Sequence, residues 1–311
     1  MKILAFEYAC AGGEGGEPFV RDGRLMLSTL LNDMTKAGIG HVSTLLHGSF
    51  DPDGIKADEI TAAEPDFFTA VEAKISNADA VWIIAPECGG TLLDLSTMVL
   101  AQGKTLIGCR PEAVEVCGSK MKTAELLCGN NNNGKIKMPE TELLYSAGSR
   151  KKFPCVVKPV DGAGCEEVYY VENREELKRL DTLNENFIVQ PYVHGESLSA
   201  GILTAGSGST LLGVCRHEIF HRGSKMRLKK ISGLIKYDRN DEIKKMIDEI
   251  TRIIPGLRGF WGLDFIHRDS APPVLVEINP RLTTSYPVYS RSCGFNIASK
   301  TVRDACGLVN V

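Results

Sequence analysis

The chain has 311 residues, 43% of them hydrophobic, which is enough to bury a substantial core and points to two or three structural units. Its 36 basic and 39 acidic residues leave a net charge of -3, so no overall field draws it to nucleic acid or an anionic membrane. No apolar run reaches the ~20 residues of a membrane-spanning helix, and Glu7 interrupts the opening apolar stretch, which argues against a signal core there.

From the N-terminus, strand-like and helix-like stretches alternate: KILAFEY, LMLSTLLNDMTKAG, HVSTLLH, FFTAVEAKISNA, AVWIIAPE, LLDLSTMVLAQG and TLIGC. That rhythm predicts an α/β unit with an open parallel sheet, up to about residue 111. Loops at the carboxyl ends of such strands are natural ligand sites, which singles out residues 10–18 (CAGGEGGEP) and 85–91 (APECGGT). A plain turn with a solvated glutamate suits either loop equally well.

The middle of the chain reads as one helix over EAVEVCGSKMKTAELLC, a polar loop GNNNNGK, and a strand FPCVVKPV running into the small loop DGAG at 161–164. A helix NREELKRLDTL and the extended segment NFIVQPYVHGESLSAGIL follow. The last third gives strands about STLLGVCRHEIFH, FWGLDFIHR and VLVEINPRL, with an amphipathic helix DEIKKMIDEITRII between the first two. The ten cysteines are scattered singly among apolar neighbours, with no Cys-x-x-Cys pair, and read as reduced, packed thiols of a cytoplasmic protein.

Two motifs mislead. GNNNNGK, Gly129 to Lys135, fits most of a phosphate-binding P-loop, but Ile136 stands where a Mg²⁺-binding hydroxyl is required, and the loop follows a helix rather than a strand. HEIFH, His217 to His221, matches the zinc-protease pattern, which needs a helix; a strand would hold the two imidazoles about 13 Å apart, too far for one zinc.

Chemistry converges near the C-terminus. A period of two sends Val274, Val276 and Ile278 to one face of VLVEINPRL and Leu275, Glu277 and Asn279 to the other. In WGLDF, Trp261, Leu263 and Phe265 likewise alternate with Gly262 and Asp264. If these strands pair, Asp264, Glu277 and Asn279 offer three hard oxygen ligands to one space, which suits Mg²⁺ held against phosphates. Singly, each is a solvated strand residue. Positive charge for phosphates is available from Lys158, at the end of an apolar strand before Gly162 and Gly164, and from Lys120 in GSKMKT. An ordinary snorkelling lysine before a turn is the bland reading of Lys158.

These residues together resemble the ATP-grasp superfamily over most of the chain: the N-terminal open sheet, the helix with Lys120, VVKP and its glycine loop, IVQPYVHGESLS, GLDF and VEINPR. The resemblance implies an N-terminal pre-ATP-grasp α/β domain at 1–111, followed by a two-subdomain α+β ATP-grasp fold. Its central subdomain would span 112–194, and a C-terminal subdomain with the metal site 195–311. It implies ATP and Mg²⁺ as cofactors, with Mn²⁺ an alternative. Lys120 and Lys158 resemble the α/β-phosphate lysines, and Gln190, Tyr192 and Val193 the hinge that meets adenine largely through backbone atoms. Glu196 resembles the ribose-binding acid, Asp264, Glu277 and Asn279 the metal ligands, and Arg281 a residue beside the transferring phosphoryl group.

Two departures stand out: Gln190 where several members have Glu, and Gly262 where some have Arg. The basic stretch HRGSKMRLKK at 221–230 offers a substitute γ-phosphate clamp through Lys225, Arg227, Lys229 or Lys230, with Lys229 taken as the catalytic candidate; a solvated basic loop is the rival reading. It lacks the aromatic interleaving of a single-strand nucleic-acid binder. Within the superfamily, FEYACAGGEG, IAPE and IGCRPEAVEVCGSK are similar to the tyramine–glutamate ligase group of methanofuran biosynthesis.

The resemblance therefore implies an ATP-dependent carboxylate–amine ligase working through an acyl phosphate, with small-molecule acid and amine substrates, and a homodimer by analogy. Glu7 and Glu87 are then candidates to hold the amine's ammonium group. The alternatives are a non-catalytic ATP-binding regulatory protein, for which the missing arginine argues, and an ATP-dependent kinase.

Overall fold

The structure is a computed structural model that describes residues 1–14, 16–63, 66–129, 135–145, 152–162, 164, 167–180, 183 and 186–308. Most of GNNNNGK, residues 130–134, lies outside them.

The N-terminal alternation folds as read: β1 (Lys2–Glu7), α1 (Glu17–Ala37), β2 (His41–His47), β3 (Glu59–Ala63), α2 (Phe67–Ser76), β4 (Ala80–Ile84), α3 (Thr91–Ala101) and β5 (Thr105–Ile107). The five strands form a parallel sheet in the order β3-β2-β1-β4-β5. β3 was not legible as a strand, because EITAA lies at the sheet edge with only partial burial and has no continuous apolar run. α1 begins at Glu17, inside the stretch read as loop, with Pro18 in its first turn, where a proline's missing N–H costs nothing.

The single helix expected over 112–128 is two: α4 (Pro111–Gly118) and α5 (Lys120–Cys128). Ser119 breaks the run with an extended backbone, and its hydroxyl accepts the Lys122 N–H at 3.2 Å, capping α5. Lys120 thereby becomes the first residue of a helix rather than a mid-helix surface lysine.

The rest of the chain builds β6 (Glu142–Leu143), β7 (Cys155–Pro159), β8 (Val168–Val171), α6 (Arg174–Lys178), β9 (Phe187–Pro191), β10 (Glu196–Ala205), β11 (Gly208–Arg222), β12 (Lys225–Ile235), α7 (Asn240–Ile253), β13 (Gly259–Arg268), β14 (Ala271–Asn279), α8 (Tyr286–Ser292) and α9 (Ile297–Ala305). Their strands join in one nine-stranded sheet, β14-β13-β10-β11-β12-β8-β7-β9-β6. The seam between its two parts is narrow: β12 and β8 pair only at Lys225↔Tyr169 and Met226↔Val168.

α7 presents Ile243, Met246, Ile247 and Ile250 at helical spacing to Leu198, Ala200, Leu263 and Phe265 on one face of β10 and β13. On the other side, α8 and α9 pack Tyr286, Tyr289 and Val302 with Leu27, Leu30 and Leu31 of α1, so the two sheets share core across the chain. A small separate core, Val157, Tyr169, Leu177 and Val189, supports the β7-β8-β9 lobe. No helix among the described residues is long and apolar enough to cross a membrane, and the nine described cysteines are all free.

Candidate active site

β13 and β14 are antiparallel neighbours in the register Asp264↔Glu277, Leu263↔Ile278 and Gly262↔Asn279. The pairing expected from the sequence is present. The alternation along β14 is not fully kept: Phe265 pairs with Leu275, so Val276 is the extra residue of a bulge. The bulge returns Leu275 to the apolar face with Leu263, Phe265 and Ile278, against the reading that put it beside Glu277.

Asn279 Nδ2 donates to Asp264 Oδ2 at 3.1 Å, which leaves the amide oxygen and both carboxylates for a cation. Burial pushes the Asp264 carboxyl above the usual aspartate range, the His217 imidazole opposes that, and Glu277 adds to it. A donor set of two facing carboxylates and an amide oxygen, one carboxylate made uncomfortable by burial, fits a hard divalent cation such as Mg²⁺.

Opposite stands Lys120. Its Nζ donates to the Gly162 carbonyl at 2.5 Å and lies 3.2 Å from Glu277 Oε1, while its backbone N–H bonds the Val160 carbonyl at 2.8 Å. Burial works against the ammonium, yet Glu277 and Glu87 outweigh it and hold the pKa above that of an ordinary lysine. Lys158 is buried at the end of β7, in register with Ile188, on the same face as the pair Val156↔Gln190. Gly164 is in the left-handed region at φ 67°, which favours glycine in this loop. Gly89 N–H donates to Asp161 Oδ2 at 3.2 Å, tying the loop after β4 to the glycine loop.

The hinge residues follow β9. Gln190 is buried, and its Nε2 donates to Thr141 Oγ1 at 2.8 Å. The Tyr192 N–H donates to the Pro154 carbonyl at 2.9 Å, and its ring stands edge-on to Tyr170 at 4.9 Å. Val193 lies in the irregular stretch before β10. Glu196 opens β10 and is ion-paired with Arg216 of β11; the register sets it with Leu198 and Ala200, the face opposite Ser199 and Asp264.

Arg281 follows β14 and grips Glu87, from the loop after β4, along one edge of its guanidinium: Nε meets Oε2, and Nη2 donates to Oε1 at 3.3 Å. Burial opposes the guanidinium's charge, but Glu87 more than compensates. The ammonium role suggested for Glu87 meets this cation already in place. Glu7 is buried against Gly23, accepts the Cys10 N–H at 2.8 Å, and has its carboxyl pushed up by burial.

The basic stretch is not a loop. Residues 221–230 turn from β11 into β12, and the pairs His217↔Ile231, Ile219↔Leu228 and His221↔Met226 share one face, while Glu218↔Lys230, Phe220↔Arg227 and Arg222↔Lys225 share the other. Lys229 is the extra residue of a bulge between Leu228 and Lys230, and its ammonium lies 3.6 Å from Glu218 on that outer face. Both histidines of HEIFH lie on the strand β11, as expected. At Gly262, a Cβ would come within 2.6 Å of Thr283 Cγ2, so the arginine of other members has no room. Sequence reasoning did not place His217 beside Asp264, though its phase along the strand was the available signal. The Glu87–Arg281 pair had no sequence signal, since 194 residues separate the partners.

A facing carboxylate pair with a buried lysine against it, beside a glycine loop that carries a second buried lysine, is the arrangement of a nucleotide-dependent enzyme. The chain belongs to the ATP-grasp family: the ATP-grasp domain matches residues 117–285, and the pre ATP-grasp 3 domain matches residues 41–114. It is 28% identical to the tyramine–L-glutamate ligase of Methanocaldococcus fervens, over 97% of this chain and 94% of that protein. Its fold is similar to that of an N5-carboxyaminoimidazole synthetase from Staphylococcus aureus complexed with ADP, with a TM-score of 0.75, 15% identity, and 99% and 78% of the two chains covered. It is also similar to an L-amino acid ligase from Bacillus licheniformis, with a TM-score of 0.73, 17% identity, and 98% and 74% covered.

Proposed function

We propose that the protein is an ATP-dependent carboxylate–amine ligase of the cytoplasm that joins L-glutamate to tyramine through an acyl phosphate. The observation that carries the reading is the Asp264–Glu277–Asn279 group set against Lys120 and the glycine loop, in a chain similar over nearly its whole length to a tyramine–L-glutamate ligase. A substrate carboxylate oxygen bonds to the terminal phosphorus of ATP as ADP leaves; the amine nitrogen then bonds to the acyl carbon, phosphate departs, and the nitrogen loses a proton. Such transfers ask for positioning and charge neutralisation rather than a protein nucleophile.

Mg²⁺, or Mn²⁺ in its place, would be held by Asp264, Glu277 and Asn279 and would supply charge neutralisation at the phosphates. Lys120 and Lys158 serve the inner phosphates as point charges. The guanidinium edge of Arg281 that Glu87 leaves free faces the acyl phosphate, and the loop bearing Gly162 and Gly164 keeps water from it. Gln190, Tyr192 and Val193 line the nucleoside end; Glu196, paired with Arg216 on the face of β10 away from Asp264, is left out of that set. The domain limits 1–111, 112–194 and 195–311 belong to the same reading, as does a homodimer. A silent ATP sensor was suggested by the glycine at 262; the lack of space there gives that glycine a packing reason instead.

Incubation of the protein with MgATP, glutamate and tyramine, followed by mass spectrometry and ADP detection, tests the proposal. ADP and amide should form only with both substrates present, and Glu277→Gln should lower the rate on the order of 100-fold. A stable phosphorylated product would establish a kinase instead, and full activity of the Glu277 variant would dissolve the metal assignment.

A further inference from the structure

The outward turn of Lys229 and its basic neighbours leaves the terminal phosphoryl group of the proposed nucleotide without a donor from the lysines and arginines of the hairpin. The inner face of that hairpin carries one polar ring close to the metal carboxylates. The register Asp264↔Ser199 across β13 and β10, then Ser199↔Cys215 across β10 and β11, makes one row of side chains. His217 is two residues beyond Cys215 on β11 and so emerges on the same face as Asp264. It is half-buried, makes no hydrogen bond or ion pair among the described residues, and is near enough to act electrostatically on the Asp264 carboxyl.

The same face continues through His221, whose ring meets Tyr170 at 5.3 Å, and Tyr170 meets Tyr192 of the hinge at 4.9 Å. His217 therefore stands between Asp264 at the metal end and His221, Tyr170 and Tyr192 at the hinge end, on one continuous face of the sheet. Those two lysines suffice for the inner phosphates. An imidazole carries an N–H in either tautomer, so it can donate to a phosphoryl oxygen whichever nitrogen is protonated.

We propose that His217 is the residue that binds the terminal phosphoryl group of ATP, replacing the clamp that neither Gly262 nor the basic hairpin supplies. This rests on the nucleotide part of the function above but not on the identity of the acid or amine. It is read by calorimetry on the full chain with Mg²⁺ and either ADP or the non-hydrolysable imido analogue of ATP. His217→Ala should weaken the ATP analogue about tenfold and leave ADP within about twofold, since one charge-assisted hydrogen bond is lost. His217→Gln keeps size and an N–H donor, and should recover part of the loss. It also reports on the site if the alanine variant misfolds.

Equal losses for both nucleotides, or no loss for either, would overturn the assignment. Selective loss of the ATP analogue in a protein that makes no amide would support His217 while ending the ligase reading. Failure of the wild type to bind either nucleotide would end both.

Discussion

Replacing Glu87 by alanine removes the partner of a cation that has almost no access to water. The two side chains are 2% and 14% exposed, Glu87 and Arg281 respectively, and both carboxylate oxygens are engaged. What remains for the guanidinium is a long contact of 3.4 Å to the Leu282 carbonyl. A buried ion left alone in this way costs about 3–5 kcal/mol, and Arg281→Ala should cost a similar amount by stranding the carboxylate. The double variant strands neither, so it should be scarcely less stable than either single one, with a coupling energy close to one single loss, about 3–5 kcal/mol. Denaturant midpoints of the four proteins, followed by circular dichroism, give the cycle. Losses that add to within about 0.5 kcal/mol would show that the pair does not act as a unit, and would refute the view that Glu87 aims Arg281.

Two further substitutions probe the frame around the site. Ser119→Ala removes the cap that starts α5, and should cost about 1 kcal/mol in stability and weaken MgADP binding through Lys120, read by thermal melting and calorimetry together. Gly201→Ala would place a methyl within 2.4 Å of the buried Tyr289 ring, so the melting temperature should fall by the equivalent of about 1–3 kcal/mol, and an unchanged melt would show that α8 packs elsewhere.

The outcome for the sequence reading separates along physical lines. The strands β1, β2, β4, β13 and β14 were legible because buried strands write apolar runs or alternation into the chain. The meeting of Asp264, Glu277 and Asn279 was legible for the same reason: once β13 and β14 pair, their phases fix which oxygens meet. Alternation failed at Leu275, where one extra residue in β14 shifts the phase, and a bulge leaves no compositional mark in VLVEINPRL. It was not applied to residues 221–230, where density of charge suggested a loop; phase would have turned Lys229 outward and His217 inward. The break at Ser119 was present as an N-cap residue, but strong helix formers on both sides concealed it. Contacts such as Glu87 with Arg281 depend on how two sheets are set against each other, and local pattern does not encode that.

The pairing of charges explains why these residues can be buried at all. Lys120 stands against Glu277, and Arg281 against Glu87, so each ion that leaves water finds its opposite within hydrogen-bonding range. The two pairs differ in what they can do next. Glu87 is not one of the proposed metal ligands, so its bond to Arg281 can persist through turnover while the other edge of the guanidinium meets an anion. Glu277 can serve a metal only by loosening Lys120, whose ammonium, still held by the Gly162 carbonyl, then needs another anion nearby. A phosphate oxygen meets that need. Metal alone would leave Lys120 repelled beside it, and a triphosphate alone would face Asp264 and Glu277 across a short gap. On the proposed function, the arrangement would favour the metal and the nucleotide as one complex, with Lys120 answering to both.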